Sequence, residues 1–525
     1  MRGTSFPLLL RGGSVADGTG APLVARDVAV VGGRVRLLAP GEVGSEDADE
    51  VVDVSGLVVA PGFIDAHTHS DTSCIDGAEG RLDEAQVFAS VLQGVTTEIA
   101  GNCGHSAFPG KYPGLAALSD AHSAVGRANH LASLVGHGTL RSAIVGQQAR
   151  AASATEVARM ADALDEALAA GAVGFSTGLI YTPGSYADTA EITALARVAA
   201  QHGKPYVTHL RDEMSGVQDA LEEAVAIARD SGAALHVSHH KTAGKYAWGL
   251  TEVTLARLAE LRESGMDVTC DVYPYTAGST ALSAMLPPWA HDGGKERLLE
   301  RLRDPGQREL IRKAIAEGVP GWENTVGNGG WDRIVVAGAP RHPAHQGRTV
   351  AELAREAGGA GDPGMDAVDL VAELLLGEDG EVTIISHSMR EDDVRRVLAA
   401  PFAMIGSDGV PTAGLPHPRW AGTFARVLGC YAREAGLFDV PEAVRKMTGA
   451  TAARFGLADR GVLRDGAHAD VVVFDPARVA DRATFASPLA GPEGVRLVAV
   501  GGTVVVRDGE LTGARPGQVV GVGRR

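Results

Sequence analysis

The chain has 525 residues, of which 45% are hydrophobic and 22% charged, and its formal net charge at pH 7 is −17. This length supports a large α/β domain with a smaller module, and the acidic balance argues against binding to nucleic acid or to an anionic membrane surface. Because the four cysteines are too few for a disulfide framework and no apolar run reaches the length of a membrane span, we expect a cytoplasmic protein that acts on a small molecule.

Both ends of the chain consist of short β-segments. Residues 1–59 alternate valine-rich runs with Gly and Asp pairs, as in DVAVVGGRVRLLAP. Residues 460–525 return to the same pattern in GVLRDGAHADVVVFDP and VRLVAVGGTVVVRDGEL. Two β-rich ends around an α/β middle predict one small β domain that is assembled from both termini.

Residues 60–459 repeat a different unit, in which a strand is followed by a Gly-rich loop and an Ala-, Leu- and Glu-rich helix. Eight such units predict a (β/α)8 barrel. The predicted strands are GFIDAHTH, VTTEIAGNC, ASLVGHG, AVGFSTG, PYVTHL, ALHVSHH, DVTCDVYPY and FAMIGSD. Two more strand-like runs, DRIVVAG and EVTIISH, lie between the last two, so we assign residues 285–385 to an insertion that covers the barrel mouth.

The first predicted strand ends in an HxH pair, His67 and His69, within PGFIDAHTHSD. Alternate residues of a strand share a face, so both imidazoles can reach one metal ion. Other metal-binding side chains end other strands, and in a barrel the carboxyl ends of all strands meet at one face. This second set consists of Cys103, His209, His239 or His240, and Asp408. The pattern predicts a metal site at that face.

Several motifs together resemble the amidohydrolase superfamily and, within it, the D-aminoacylase branch, the N-acyl-D-amino-acid deacylases. They are PGFIDAHTHSD, GVTTEIAGNCG, GFSTGLIYTPGSYADTAEI, THLRDE, SHHK, CDVYPYTAGST and GSDG, and the resemblance covers nearly the whole chain. It implies a TIM barrel, a small β-sandwich domain built from both termini and an insertion before the last barrel strand. It also implies zinc-dependent hydrolysis of the amide bond of N-acyl-D-amino acids.

The resemblance implies a tight zinc site formed by Cys103, His209 and His239. It implies a weaker second site formed by His67, His69 and Asp408, with Cys103 shared. Strand parity agrees with the choice of the first histidine in SHHK, because only one of two neighbouring residues can point into the barrel. Lys241 then shares the face of His239, whereas His240, His387 and the other three cysteines are interpreted as structural.

Asp408 is the predicted general base and then general acid, taking a proton from metal-activated water and passing it to the leaving amine. The resemblance implies that the substrate carboxylate is bound by Lys241, Tyr273, Ser279 and Arg419, and that Tyr181 helps to place the substrate. Asp65, deeper on the strand of the HxH pair, is a candidate for orienting a ligand histidine.

Related cyclic amidases bridge two metals with a carboxylated lysine on the fourth strand, but AVGFSTG contains no lysine. Between Thr97 and His209 the sequence has only Lys111 and Lys204, neither at that position. A cyclic amidase or a deacylase of another N-acyl compound remains the alternative. A non-catalytic barrel scaffold is a third hypothesis, although no expected ligand is missing. The sequence leaves open the preferred side chain and acyl group, the occupancy of the second metal site and the oligomeric state.

Overall fold

The computed structural model describes residues 6–357 and 365–522. Residues 1–5, 358–364 and 523–525, which belong to the predicted terminal and inserted segments, lie outside the described residues. The centre of the molecule is a barrel of parallel strands, and its third strand is split into two pieces. The eight strands are Phe63–Asp65, Val95–Ala100, His130–Ser133 with Val135–Gly136, Phe175–Gly178, Tyr206–His209, Leu235–Val237, Val268–Val272 and Ala403–Ile405.

The barrel strands pair in chain order. The first three form one parallel ladder, and the second piece of the third strand continues the ladder to the eighth strand. The ring closes where the amide of Ala66 donates to the carbonyl of Ile405 at 3.2 Å and where Thr68 pairs in parallel with Gly409. The prediction of a (β/α)8 barrel is therefore confirmed; seven strands lie within the predicted segments, and the third begins two residues before its segment.

The helices around the barrel form where the sequence has a capping residue and a helical apolar stripe. In Ala154–Ala169, Ser153 accepts the amide of Glu156 and the Glu156 side chain returns to the Ser153 amide, which satisfies two free donors at the helix start. Met160, Leu164, Ala167 and Leu168 are its buried residues, at a spacing that places them on one face.

The remaining helices of the barrel alternate with the strands. They are Ser73–Ala78, Glu84–Leu92, Leu115–Val125, His137–Ile144, Thr189–Gln201, Val217–Ser231, Thr251–Glu263, Glu391–Ala399, Arg419–Arg426 with its π-helical continuation Val427–Glu434, Val440–Met447 and Gly449–Phe455. None of the helices in the described ranges has the length and apolar character that crossing a membrane requires.

Strands from the two ends of the chain join in a single path of hydrogen-bonded neighbours. The junction is the antiparallel pair Val58–Pro61 and Val471–Phe474. Leu10 and Val28 from the N-terminal part share a buried cluster with Leu497 from the C-terminal part, so both ends pack on one apolar layer. The other strands are Leu8–Val15, Val24–Val31, Arg34–Leu38, Val51–Asp53, Val495–Val500, Thr503–Arg507 and Glu510–Leu511.

An inserted segment lies between the seventh and eighth barrel strands and has its own hydrophobic cluster. Its three-stranded antiparallel sheet consists of Gly278–Ala281, Thr383–Ser386 and Ile334–Gly338 in that order. This sheet starts seven residues before residue 285, the boundary expected from the sequence, because the polar strand Gly278–Ala281 pairs with Thr383–Ser386. The insertion helices are Lys295–Arg303, Pro305–Glu317, Thr325–Gly329, Val350–Ala357 and Ala367–Gly377.

Candidate metal and substrate site

The carboxyl ends of the barrel strands bring a thiol and three imidazoles together. The Sγ atom of Cys103 lies 3.4 Å from Nε2 of His67 and 3.3 Å from Nε2 of His239. Nδ1 of His209 lies 3.7 Å from the same sulfur. A tetrahedral zinc ion with ordinary Zn–S and Zn–N bonds separates such ligand atoms by about 3.5 Å. The spacing in this cluster therefore fits a zinc ion held by Cys103, His209 and His239.

The charge state of the thiol also suits metal binding. Burial opposes ionisation of Cys103, but the facing imidazoles of His67 and His239 hold the pKa of this thiol well below its usual value. A thiolate with imidazole partners is a donor set that zinc prefers. All three candidate zinc ligands are buried, so a bound ion would be shielded from bulk water on the barrel side.

A second group of candidate ligands lies on the other side of Cys103. Nε2 of His69 is 3.1 Å from Oδ1 of Asp408, and Nε2 of His67 is 3.5 Å from the same oxygen. The ligand atoms of His67, His69 and Cys103 lie within 4.8 Å of one another, as do those of His67, His239 and Asp408. The structure thus brings together all six predicted metal residues.

The backbone at these positions adopts an uncommon conformation. Six non-glycine residues in the described ranges have a positive φ, and Cys103, His239 and Asp408 are three of them, at 51°, 33° and 50°. Non-glycine residues with a positive φ are uncommon in proteins. Strained backbone conformations of this kind concentrate at functional sites. The turns that follow these three strands therefore direct the side chains of Cys103, His239 and Asp408 into the barrel mouth, and the backbone conformation that does so is unfavourable in free energy.

Of the two histidines in SHHK, only the first points into the site. His240 is turned away and its Nε2 atom lies 2.8 Å from Oγ1 of Thr254. Lys241 lies on the side of His239, with Nζ 2.9 Å from the Nδ1 atom of that histidine. The placement agrees with the parity argument made from the sequence.

A buried glutamate that was not predicted lies beneath the candidate zinc ligands. Glu213 has one carboxylate oxygen 3.2 Å from Nε2 of His209 and the other 3.1 Å from Nδ1 of His239. Its carboxylate also lies 2.5 Å from Nζ of Lys241. Burial disfavours its charge, but His209 and Lys241 hold the pKa of Glu213 well below its usual value. One carboxylate thus contacts both histidines on the side away from the metal position.

A second unpredicted carboxylate, Asp271, orients the HxH side of the site. Its Oδ1 atom accepts the amide of His239 at 2.9 Å and lies 3.5 Å from Nδ1 of His67. Asp65, the candidate for orienting a ligand histidine, contacts the backbone of His67, since its carboxylate accepts the amides of His67 and Ser407. Both signals were in the sequence: Glu213 follows His209 by four residues, and Asp271 interrupts an apolar strand.

The five predicted substrate residues lie around the same cavity. Arg419 is buried, and its Nη1 atom lies 2.8 Å from Oδ2 of Asp408. Its Nη2 atom donates to the carbonyl of Ser279 at 3.3 Å, and its guanidinium lies 4.7 Å from the ring centre of Tyr273. The hydroxyl of Tyr181 accepts from Oγ1 of Thr280 at 3.1 Å. The contacts of Arg419 with Ser279 and of Tyr181 with Thr280 join the barrel to the insertion, and that of Arg419 with Tyr273 joins the segments after two neighbouring strands.

A cavity of about 380 Å³ connects these groups. The barrel supplies its polar side, including Cys103, His239 and Asp408. The insertion supplies the opposite side, which we call the insertion wall and define as Ala284, Met285, Trp322, Glu323 and Thr325. The cavity is large enough for a small molecule, and both the candidate metal groups and the predicted carboxylate-binding groups are exposed to it.

The remaining candidates from the sequence lie outside this cavity. Cys74, Cys270 and Cys430 are free thiols and do not line it. His387 packs its ring against Phe485 at a centroid distance of 5.0 Å. These side chains fit the structural interpretation made from the sequence.

Comparison with known proteins identifies the family. A profile described as the amidohydrolase family matches residues 50–506. A D-aminoacylase of Alcaligenes xylosoxydans xylosoxydans is 39% identical over 98% of this chain and 97% of the relative. An N-acyl-D-glutamate deacylase of the same organism is 36% identical over 98% of this chain and 96% of the relative.

A solved structure is similar over the whole fold. It is a crystal structure of N-acyl-D-glutamate deacylase from Bordetella bronchiseptica in complex with zinc and a phosphonate inhibitor that mimics the tetrahedral intermediate. It matches with a TM-score of 0.82 and 37% identity, over 98% of this chain and 100% of that chain. The chain therefore belongs to the amidohydrolase family and, within it, to the D-aminoacylase group of N-acyl-D-amino-acid deacylases.

Proposed function

We propose that this protein hydrolyses the amide bond of N-acyl-D-amino acids and releases a carboxylic acid and a free D-amino acid. The observation that carries the proposal is the meeting of the Cys103 thiolate, its imidazole partners and Asp408 in one cavity. The named relatives act on N-acyl-D-amino acids, and they cover nearly all of this chain. The preference for the D configuration rests on these relatives.

Cys103, His209 and His239 would hold the tight zinc ion, and His67, His69 and Asp408 a weaker second one. When bound, zinc lowers the pKa of a coordinated water to about 7 and polarises a carbonyl oxygen. The carboxylate of Glu213 keeps both ligand imidazoles in the orientation that presents the correct nitrogen, since it contacts the other nitrogen of each ring.

Asp408 would take the proton that the attacking water loses and pass it to the nitrogen of the leaving amine. Burial disfavours its charge, but Arg419, His239 and His67 hold the pKa of Asp408 well below its usual value. The side chain is therefore ionised before the reaction and able to accept a proton. Arg419 also fixes its orientation through the 2.8 Å ion pair.

Lys241 and Arg419 would bind the α-carboxylate of the substrate, together with Ser279 and Tyr273. Both cations line the cavity, and both contact Tyr273 by its ring face, at 5.9 Å and 4.7 Å. A guanidinium and an ammonium in a buried pocket bind a carboxylate strongly because the hydrogen bonds carry full charge. Tyr181 lies over His209 at a centroid distance of 5.2 Å and would limit where the acyl group can lie.

A linear amide fits this cavity better than a cyclic one. The cyclic amidases rely on a carboxylated lysine between two metals, and Lys241 is the one lysine among the described residues that line the cavity. It is held by Glu213 and follows the sixth strand, so it is not available as a bridge. We also infer a reducing, cytoplasmic location, in which the four free thiols remain reduced, and no role in nucleic acid binding.

A hydrolysis panel tests the proposal. The zinc-loaded enzyme is assayed with the N-acetyl derivatives of D- and L-leucine, glutamate and lysine. We expect cleavage of at least one D derivative and little cleavage of the matching L derivative, loss of activity with a zinc chelator, and recovery when zinc is restored. Failure to cleave any N-acyl-D-amino acid, or equal cleavage of both series, would contradict the proposed function.

A further inference from the structure

Glu323 is an acidic residue of the insertion wall, in a loop before the helix Thr325–Gly329. One carboxylate oxygen accepts the backbone amide of Glu213 at 2.6 Å. Within the described ranges, no Lys, Arg or His nitrogen forms an ion pair with this carboxylate. The side chain is half-buried and faces the same cavity as the candidate metal residues. Glu323 therefore brings into the substrate cavity an acidic group that has a hydrogen bond from a backbone amide but no ion pair.

The other charges of the cavity are already matched. Lys241 contacts Glu213 at 2.5 Å, and Arg419 contacts Asp408 at 2.8 Å. Among the described lining residues, excluding histidines, these two cations face three carboxylates, and Glu323 is the third. A substrate that carries only its α-carboxylate can use the two cations. A second carboxylate on the substrate would find no free cation and would approach Glu323.

The surroundings of Glu323 also disfavour a second negative charge in this part of the cavity. Three of the other four residues of the insertion wall, Ala284, Met285 and Trp322, are apolar, and the buried Trp322 and Met285 belong to the hydrophobic cluster of the insertion. Burial of a charge without an oppositely charged partner in such surroundings is costly, and a like charge nearby adds to the cost. Burial, and then the nearby carboxylate of Glu213, raise the pKa of Glu323 to about 7.

We propose that Glu323 determines side-chain selectivity, so that the enzyme acts on N-acyl-D-amino acids with uncharged or basic side chains and rejects those of D-glutamate and D-aspartate. The inference rests on the proposed deacylase function and narrows its substrate class. Overall identity does not decide this point, because the D-aminoacylase and the N-acyl-D-glutamate deacylase are similarly related to the chain, at 39% and 36%.

The test compares three substrates in the zinc-loaded wild type and in Glu323→Gln at about pH 8, above the pKa of about 7 of Glu323. The substrates are N-acetyl-D-leucine, N-acetyl-D-glutamate and N-acetyl-D-lysine. In the wild type, kcat/KM for the leucine derivative should exceed that for the glutamate derivative by at least about tenfold, since like charges in one site repel each other. The glutamine variant keeps the size of the side chain and removes its charge.

In Glu323→Gln, kcat/KM for the glutamate derivative should rise by about tenfold relative to leucine, while that for the lysine derivative should fall. Opposite shifts for the two charges distinguish selectivity from loosening of the fold, which would move both in the same direction. Glu317→Gln is the matched control, because it removes the same charge from an exposed site on the insertion helix Pro305–Glu317.

A wild type that prefers the glutamate derivative would overturn the inference, as would a glutamine variant with unchanged ratios or with shifts of the same sign. These outcomes leave the deacylase function intact, because each requires that N-acyl-D-amino acids are cleaved. The absence of cleavage for all three substrates would instead contradict the proposed function, and the inference would fall with it.

Discussion

The two sides of the cavity are built in different ways. On the barrel side, His209 ends a strand and Cys103, His239 and Asp408 follow strands, and the parallel pairing of these strands fixes the spacing of the four residues; all but His209 have a positive φ. On the insertion wall, Met285 lies in a short turn, and Trp322 and Glu323 lie in a loop. The difference agrees with the proposed division of roles, in which residues of the barrel carry out the reaction and residues of the insertion select the substrate.

The largest expected effect belongs to the barrel side. Cys103→Ala removes the sulfur that contacts all three imidazoles, so the tight metal position loses its strongest donor. We expect less than one zinc ion per ten chains after dialysis and a loss of kcat/KM of at least about 10³-fold, of the size that loss of metal chemistry produces. Metal analysis and initial rates measure both quantities.

Cys430→Ala is the matched control for this variant, because Cys430 is a partly exposed thiol that does not line the cavity. It should bind zinc and turn over as the wild type does. Undiminished activity in Cys103→Ala would show that the reaction does not depend on this ligand. It would also contradict the proposal that the barrel side of the cavity carries out the reaction.

The second largest effect is expected for Asp408, also on the barrel side of the cavity, and it distinguishes proton transfer from metal binding. Asp408→Asn keeps the shape of the side chain but removes the base, so kcat should fall by about 10²- to 10⁴-fold. The zinc bound by Cys103, His209 and His239 should remain, since Asp408 is not part of that group. Steady-state kinetics and metal analysis on the same preparation test this separation.

Asp267→Asn serves as a comparison for the aspartate variant. Asp267 precedes the strand Val268–Val272 and so lies at the opposite face of the barrel, where it pairs with Arg454. Its loss should leave kcat unchanged. If Asp408→Asn retained full turnover, another group would have to be the base.

Much of the barrel side could be predicted from the sequence. Strands and helices alternate outside the insertion, and the histidines, Cys103 and Asp408 stand at strand ends, where the rules of the barrel place reactive groups. The resemblance to the D-aminoacylase branch then assigned these residues to a tight and a weaker metal site. Asp271 could have been predicted as well, because a lone aspartate within a buried strand must have a partner.

The insertion wall could not be predicted in the same way. The strand Gly278–Ala281 has the sequence GSTA, which shows no apolar alternation, and it forms because Thr383–Ser386 pairs with it. Glu323 lies in a loop without periodicity, so its approach to the amide of Glu213 depends on how the insertion packs on the barrel. Contacts of this kind arise from tertiary packing, which a local pattern does not encode.

The smallest expected effect belongs to the insertion wall and concerns size. Trp322 is 9% exposed, lines the cavity and packs in the insertion cluster. Trp322→Phe keeps an aromatic ring in that cluster but gives the cavity more room, so kcat/KM for N-acetyl-D-tryptophan should rise by up to about tenfold relative to N-acetyl-D-alanine. Because no hydrogen bond or ring contact joins Trp322 to a candidate metal residue in the described ranges, zinc content and kcat for the alanine derivative should stay within about twofold of wild type. A fall in zinc content or an equal change for both substrates would mean that the insertion supports the metal residues directly, and the division between a catalytic barrel and a selective insertion would no longer hold.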